Sequence, residues 1–387
     1  MLILGAGYAG VRVALELERL VSNDEHPAHI TLVDQHPYHQ HVALLHLIAT
    51  TAVHEQEATI PLDAILAEKR VTLCQGQVAQ IRPAAHQVAL DDGRVLSYDR
   101  LVLALGTFTD YESLPGASSH TLSLRTFPEA LRLRDHIVAC FSQASQTTDA
   151  TARRVLLTTA IVGGGGIGCQ FAGELADWVG ELAQEFGIAR GDVRIALVES
   201  GNQLLKTFDV KAGQRAHAIL DRHLVSIYLN TRAERVAEQA LYVEGDRVLR
   251  AATIVWTAGL RAPAVIGEAG LPTDAHGRVV VDRYLSVLGY PTIFAAGDCA
   301  HIPDPVDGGT VPATASYAMR QGEYLARALV AELHDEPVPV YAPVRLGHVV
   351  SLGPGEGVGD PLGIPISGSI ASLLKQGIEK WYLATLE

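Results

Sequence analysis

The sequence predicts an α/β protein in which one dinucleotide-binding plan is laid down twice. Three observations predict it. Two short apolar strands run directly into G-x-G-x-x-G turns, at Gly5-Ala-Gly7-Tyr-Ala-Gly10 and at Gly163-Gly-Gly165-Gly-Ile-Gly168. Each turn opens an amphipathic helix, and the strand that follows each helix ends in an acid, Asp34 in the first half and Glu199 in the second. Each half then passes through an alternating apolar–polar stretch into a buried strand that stops at a glycine, Gly106 and Gly259.

The first turn can be justified residue by residue. Gly5 lets the backbone turn tightly, Gly7 lets it approach a pyrophosphate, and Gly10 lets the helix lie close to the strand. The free N–H groups and positive dipole end of the helix face that phosphate. Asp34, ending Ile30-Thr-Leu-Val33, is placed to accept hydrogen bonds from an adenosine ribose. Such a turn alone is a weak signal; two of them, each with its acid, are specific for two Rossmann-like nucleotide sites.

Bulk properties agree with a large folded chain. The 387 residues suffice for two to three domains, and 48% hydrophobic against 19% charged residues describes a sizeable core. The mean hydropathy is +0.18, yet no run approaches the roughly 18–20 apolar residues of a membrane span. A net charge of −13 with no Lys/Arg cluster argues against a nucleic-acid partner. Cys74, Cys140, Cys169 and Cys299 are scattered, which argues against structural zinc, a redox disulfide or a secreted scaffold. With four residues ahead of Gly5, no secretory leader is expected, and a cytoplasmic chain is.

The segment after Asp34 is rich in histidine: six lie between His26 and His46, and His39 and His41 would share one face of an extended segment. A metal site is one reading. No cysteine or carboxylate completes a ligand set, so the favoured reading is a polar loop and helix start lining a cofactor pocket, with no metal. A helix from Pro61 to Lys69, a strand Arg70–Leu73, a hairpin turning at Asp91-Asp-Gly93 and the buried strand Arg100–Leu105 are then expected, with Leu114-Pro-Gly116 as a linker. A helix over Pro128–Phe141 and a mobile polar loop over Ser142–Thr151 precede the second glycine turn. The strand Val155–Val162 enters that turn and Val193–Val198 leads to Glu199. A carboxylate at Glu199 pairs with a free 2′-hydroxyl and repels a 2′-phosphate, favouring NADH over NADPH; Arg194 lies within the strand and is poorly placed to help a phosphate. A helix Ala212–His223, a meander over Arg235–Val248 and the strand Ala252–Ala258 complete the half, and the chain returns to the first through Arg278–Asp282 and Thr292–Ala296.

At Ile293-Phe-Ala-Ala-Gly297-Asp298-Cys-Ala300 the sequence resembles the second flavin fingerprint of the FAD/NAD(P)-linked reductases built on the glutathione-reductase plan. The resemblance implies that Asp298 holds the FAD ribityl chain. It assigns Gly5, Gly7, Gly10, Asp34, Gly106, Gly297 and Asp298 to FAD, and Gly163, Gly165, Gly168, Glu199 and Gly259 to NADH. The implied domains are residues 1–116 and 263–332 for FAD, 117–262 for NAD(H), and a C-terminal region, 333–387.

The histidine run lacks the cysteine pair of the disulfide reductases, and no cysteine follows Cys299, unlike the sulfide:quinone reductases. The ending, Gly347–Gly359 and then a helix, is similar to the type II NADH dehydrogenases. That resemblance implies hydride transfer from NADH to FAD and two electrons onward to a membrane quinone, without proton pumping. Pro312–Gly322 is similar to that family's quinone-site helix, so Ser316, Tyr317, Arg320 and Gln321 are implied on the acceptor side. Where the family has two glutamines four residues apart this chain has Ser316 and Arg320, and where it has a glutamate at the nicotinamide–flavin junction this chain has Gln170, with Glu174 kept.

The C-terminal helix, Ser369 to Glu387, carries Ile370, Leu373, Leu374, Ile378 and Trp381 on one stripe, with Lys375 and Lys380 beside it and Glu379 opposite. Such a stripe suits a lipid interface, a face packed on the protein itself or a homodimer seam. The family resemblance favours the cytoplasmic face of the cell membrane. Two other functions stay open: a soluble NADH-dependent flavoprotein reductase with a non-quinone acceptor, and an FAD- and NADH-binding interaction protein with little turnover.

Overall fold

The computed structural model describes residues 1–22, 28–111, 114–306 and 308–386. The chain forms two compact units, one of residues 1–41, 59–108 and 260–344, the other of residues 42–58, 109–259 and 345–387. The architecture is mixed α/β with a parallel sheet at the centre of each unit.

In the first unit a six-stranded sheet runs Ser286–Val287, Tyr290–Ala295, Leu101–Leu103, Leu2–Leu4, Ile30–Asp34, Val71–Gln75. All pairings are parallel except the edge strand Ser286–Val287. Leu2–Leu4 and Leu101–Leu103 are buried at every position, as central parallel strands covered on both faces must be. The helix Tyr8–Val21 follows the glycine turn and buries Val11, Val13, Leu17 and Val21. It packs on the helix Ala315–Leu333 so closely that a Cβ on Gly322 would stand 2.7 Å from the Ala9 carbonyl oxygen. The expected hairpin is a three-stranded antiparallel sheet, Val78–Arg82, Gln87–Leu90 and Val95–Ser97.

The second unit repeats the plan with a five-stranded, wholly parallel sheet: Leu122–Ser123, Thr253–Trp256, Thr158–Val162, Arg194–Val198, Val225–Tyr228. The helix Gly166–Glu185 follows the second turn, and the meander is Ala233–Ala237, Ala240–Val243 and Arg247–Arg250. The C-terminal residues add a hairpin, Val349–Ser351 and Gly357–Gly359, and the helix Ser369–Ala384.

The structure departs from the sequence-based expectations at several places. Residues 59–61 are a strand paired with Tyr38–Gln40, and only Leu62–Ile65 is helical; Pro61 ends the strand and caps a single turn. The loop expected over Ser142–Thr151 is mostly helix. Phe127–Gln146 runs on because Cys140, Phe141 and Ala144 are buried, and Ala150–Leu156 restarts on an Asp149 cap that accepts from Thr151 N and Ala152 N. That second helix takes Val155 and Leu156, so the strand is Thr158–Val162. Residues 278–282 contribute only Val279–Val280, paired with Ala300–His301.

The unit boundaries also differ from 1–116, 117–262, 263–332 and 333–387. Residues 42–58 belong to the second unit because Leu45, Ile48, Ala49 and Ala58 share a core with Leu133, Ile137, Phe171 and Leu175. The C-terminal residues belong there too: Val350, Leu352 and Val358 enter that same core.

Candidate functional site

The two glycine turns have the same construction. Gly5 adopts φ +99° and Gly163 φ +114°, in the region that disfavours side chains. A Cβ on Gly10 would stand 1.8 Å from the Gly5 carbonyl oxygen, and one on Gly168 would stand 1.9 Å from that of Gly163. Both positions therefore admit only glycine. Gly7 and Gly165, by contrast, are exposed helix N-caps with nothing within 4 Å of a built Cβ, so the space before each helix N-terminus is open. This is the arrangement a pyrophosphate needs.

Each acid is tied back to its own turn. Asp34 Oδ2 accepts from Ala6 N at 2.6 Å and Oδ1 from His36 N at 2.8 Å. Glu199 Oε2 accepts from Gly164 N at 2.7 Å and Oε1 from Gly201 N at 2.6 Å. A carboxylate offers about four acceptor sites, so each retains capacity for ribose hydroxyls. Burial pushes the Asp34 pKa up, against the lowering effect of its backbone N–H partners. Arg194 is exposed at the start of its strand.

The histidine run serves the first turn. His39 is fully buried, its Nδ1 lies 2.8 Å from the Ala6 carbonyl oxygen, and burial holds its pKa down to about 4. His39 and His41 both place their rings edge-on to Tyr8, at 5.3 and 6.0 Å between centroids. His46 lies in the second unit. His26 lies outside the described residues. Among the described residues no group of three His, Cys, Asp or Glu side chains is placed to hold a metal ion.

The return of the chain brings Gly297 and Asp298 to one cleft with Thr314, Ala318 and Gln321. Gly297 adopts φ +74°, and its N–H donates to Gln321 Oε1 at 2.7 Å. Gln321, 3% exposed, thus fixes the turn that carries Asp298. Gly106 and Gly259 are likewise in the positive-φ region, at +65° and +77°. Tyr317 is buried in the first turn of the helix Ala315–Leu333, below the Thr314 cap. On that helix Arg320 Nη1 donates to Ser316 Oγ at 2.6 Å and to the Ser316 carbonyl at 2.8 Å. The two positions are linked by a direct bond.

Gln170 lies in the first turn and a half of the helix Gly166–Glu185, 8% exposed, and its Oε1 is buried without a hydrogen-bond partner. Buried side-chain acceptors in folded proteins usually have a hydrogen-bond partner. One turn on, Glu174 is 6% exposed, and burial with the nearby Asp177 charge pushes its pKa up to about 7.

Sequence reasoning missed the polar cluster around Glu174. Lys375 and Glu379 form an ion pair in which both side chains are largely buried. His46 lies 3.2 Å from Ser351 Oγ, and burial together with Lys375 holds its pKa down to about 3. The i, i+4 spacing of Lys375 and Glu379 was the available signal. Lys375 consequently does not flank the apolar stripe at the surface; it turns inward. The stripe itself is exposed: Ile370, Leu373, Leu374, Ile378 and Trp381 face out, while Ala371, Ser372 and Tyr382 face in. Among the described residues no helix is long and apolar enough to cross a membrane.

Residues 1–322 match the family model for pyridine nucleotide-disulphide oxidoreductases. The chain is 31% identical over 385 residues to a type II NADH:quinone oxidoreductase of Staphylococcus aureus (strain NCTC 8325 / PS 47), covering 98% of this chain and 94% of that one. Its fold is similar to NDH2 from Plasmodium falciparum, solved in complex with NADH, with a TM-score of 0.89 at 17% identity, covering 100% of this chain and 94% of that one. It is also similar to the sulfide:quinone oxidoreductase of Aquifex aeolicus, with a TM-score of 0.80 at 19% identity, covering 100% and 90%. The chain belongs to the pyridine nucleotide-disulphide oxidoreductase family and, within it, to the type II NADH:quinone oxidoreductases.

Proposed function

We propose that this chain oxidises NADH and delivers two electrons to a quinone at the surface of a membrane. The observation that carries the reading is the glycine turn built twice, each with an open helix N-terminus and a carboxylate tied to it. The first turn, with Asp34, Gly106, Gly297 and Asp298, would hold FAD; the second, with Glu199 and Gly259, would hold NADH. FAD, when bound, supplies hydride acceptance and electron transfer that no side chain here provides.

The protein's own contribution is binding and orientation. Both helix N-termini receive pyrophosphates, and the two acids select ribose hydroxyls. Gln321 holds the Gly297–Asp298 turn in place. Gln170 offers its unpartnered Oε1 to a donor such as the nicotinamide amide. Ser316, Tyr317 and Arg320 present the acceptor side. Glu199 disfavours a 2′-phosphate, so NADH is the preferred nucleotide.

The exposed stripe Ile370, Leu373, Leu374, Ile378 and Trp381, joined by exposed Leu362 and Ile364, supports seating on the cytoplasmic face of a membrane. A homodimer seam is the competing use of that stripe, and it predicts a concentration-dependent sedimentation coefficient that Leu373→Glu abolishes. Anaerobic addition of pyridine nucleotide to the flavin-loaded protein tests the first half of the reading. Bleaching of the flavin band by NADH, with a kcat/KM at least tenfold above that for NADPH, is expected; the reverse preference overturns the role given to Glu199.

A further inference from the structure

In the sheet of the first unit, Leu2–Leu4 has Leu101–Leu103 on one side and Ile30–Asp34 on the other. Strand order reverses there, and a nucleotide lies beyond the carboxyl ends of the strands at such a point. The pyrophosphate belongs at Gly7, before the helix Tyr8–Val21, and the ribose one strand over, at Asp34. Neighbouring strands stand about 4.8 Å apart. The base, the next group along the nucleotide, therefore comes to the ends of Ile30–Asp34 and of its neighbour Val71–Gln75. Those ends are tied together: Gly76 N donates to the Asp34 carbonyl at 2.8 Å, and Gln75 Nε2 to the Gln35 carbonyl at 3.3 Å.

Two rings leave the sheet at this place. His36 is tethered to the ribose acid itself, its N–H donating to Asp34 Oδ1 at 2.8 Å. Its imidazole lies on the Tyr38 ring, 14° between planes and 5.1 Å between centroids. Tyr38 opens the strand Tyr38–Gln40 and stands opposite Pro61 of Thr59–Pro61, so the sheet fixes the phenol. Both side chains are only half-buried. His39 and His41 differ: they are buried, with their rings edge-on to Tyr8. The hydrogen bond that closes the Asp34–His36 turn comes from the backbone of residue 36, so the turn does not need the imidazole.

A flat ring backed by a second, parallel ring is a surface on which a purine stacks. Here it stands two residues beyond the acid that takes the ribose. We propose that His36 forms the stacking surface for the adenine ring of FAD, with Tyr38 as the positioning residue that holds the imidazole flat. The proposal rests on the reading that the first glycine turn holds FAD, and it makes the adenine half of the cofactor a determinant of how tightly the flavin is kept.

The test uses the full-length, flavin-loaded protein and two readings. Recovery of free-flavin fluorescence on dilution gives the FAD dissociation constant, and calorimetric titration with NAD+ at saturating FAD reports the second turn. His36→Ala raises the FAD constant about tenfold and leaves NAD+ binding unchanged, and His36→Phe, which restores a flat ring, brings most of the affinity back. Tyr38→Leu raises the FAD constant about threefold, and Tyr38→Phe restores it. An unchanged FAD constant in His36→Ala overturns the proposal, and so does a loss in His36→Phe as large as that in His36→Ala. An equal loss of FAD and NAD+ binding overturns it as well, because the ring then serves the fold alone. An unchanged constant in Tyr38→Leu overturns the role of the backing ring. A loss confined to NAD+ separates the two readings: the stacking surface stands, and the assignment of FAD to the first turn fails.

Discussion

Gln170→Met is expected to raise the stability of the cofactor-free protein while weakening its hold on NADH. The opposed signs follow from one atom. Gln170 Oε1 is buried at the start of the helix Gly166–Glu185 and accepts no hydrogen bond. Leaving a buried acceptor unsatisfied costs about 1–3 kcal/mol. Methionine matches glutamine in length and flexibility and carries no amide, so the substitution removes that cost without opening a cavity. For a unit of this size about 1 kcal/mol corresponds to about 2–4 °C in Tm. The nucleotide loses an acceptor worth about 0.5–1.5 kcal/mol, or about two- to tenfold in Kd. Differential scanning calorimetry without nucleotide and an NADH titration of the same protein measure the two effects. A lower Tm together with unchanged NADH affinity would refute the reasoning, because Gln170 would then be a packing residue whose amide is satisfied within the fold.

Gly168→Ala puts a methyl 1.9 Å from the Gly163 carbonyl oxygen, so NADH binding is expected to be lost while flavin content is retained; equal loss of both would contradict the assignment of one nucleotide to each turn. Glu199→Ala removes the charge that opposes a 2′-phosphate, and the NADPH to NADH ratio of kcat/KM is expected to rise at least tenfold in steady-state assays. Glu174 gives a pH signature. Burial raises its pKa from the ordinary 4.5 to about 7, so the unfolded chain ionises first and stability falls as pH rises from 4.5 to 7. Glu174→Gln should therefore stabilise the protein by up to about 3 kcal/mol at pH 8 and by little at pH 4, read from urea unfolding at both. Leu373→Glu with Trp381→Glu is expected to abolish sedimentation with anionic liposomes; unaltered binding would remove the C-terminal stripe as the anchor.

What could be read from the sequence was what sterics dictate. Gly5, Gly10, Gly163 and Gly168 stand where any side chain collides with backbone, and such positions write themselves plainly into a chain. The acids at Asp34 and Glu199 follow because the next parallel strand must end beside the turn. Packing choices were less legible. Residues 142–146 are polar and small, which suits a loop, yet Ser, Gln and Ala are tolerated in a helix whose other face is buried. The stripe on Ser369–Ala384 was visible, but which polar residues turn inward depends on the partner surface, and Lys375 turned toward His46 and paired with Glu379. The membership of residues 42–58 in the second unit rests on Leu45 and Ile48 meeting Phe171 and Leu133, contacts with no local signal.

Reoxidation of the NADH-reduced protein by a short-chain quinone tests the central claim most directly. Stopped-flow mixing under anaerobic conditions should show the flavin absorbance lost on adding NADH and restored by the quinone within the turnover time. A flavin that stays reduced in the presence of quinone, or an NADH complex that persists without reoxidation, would contradict it.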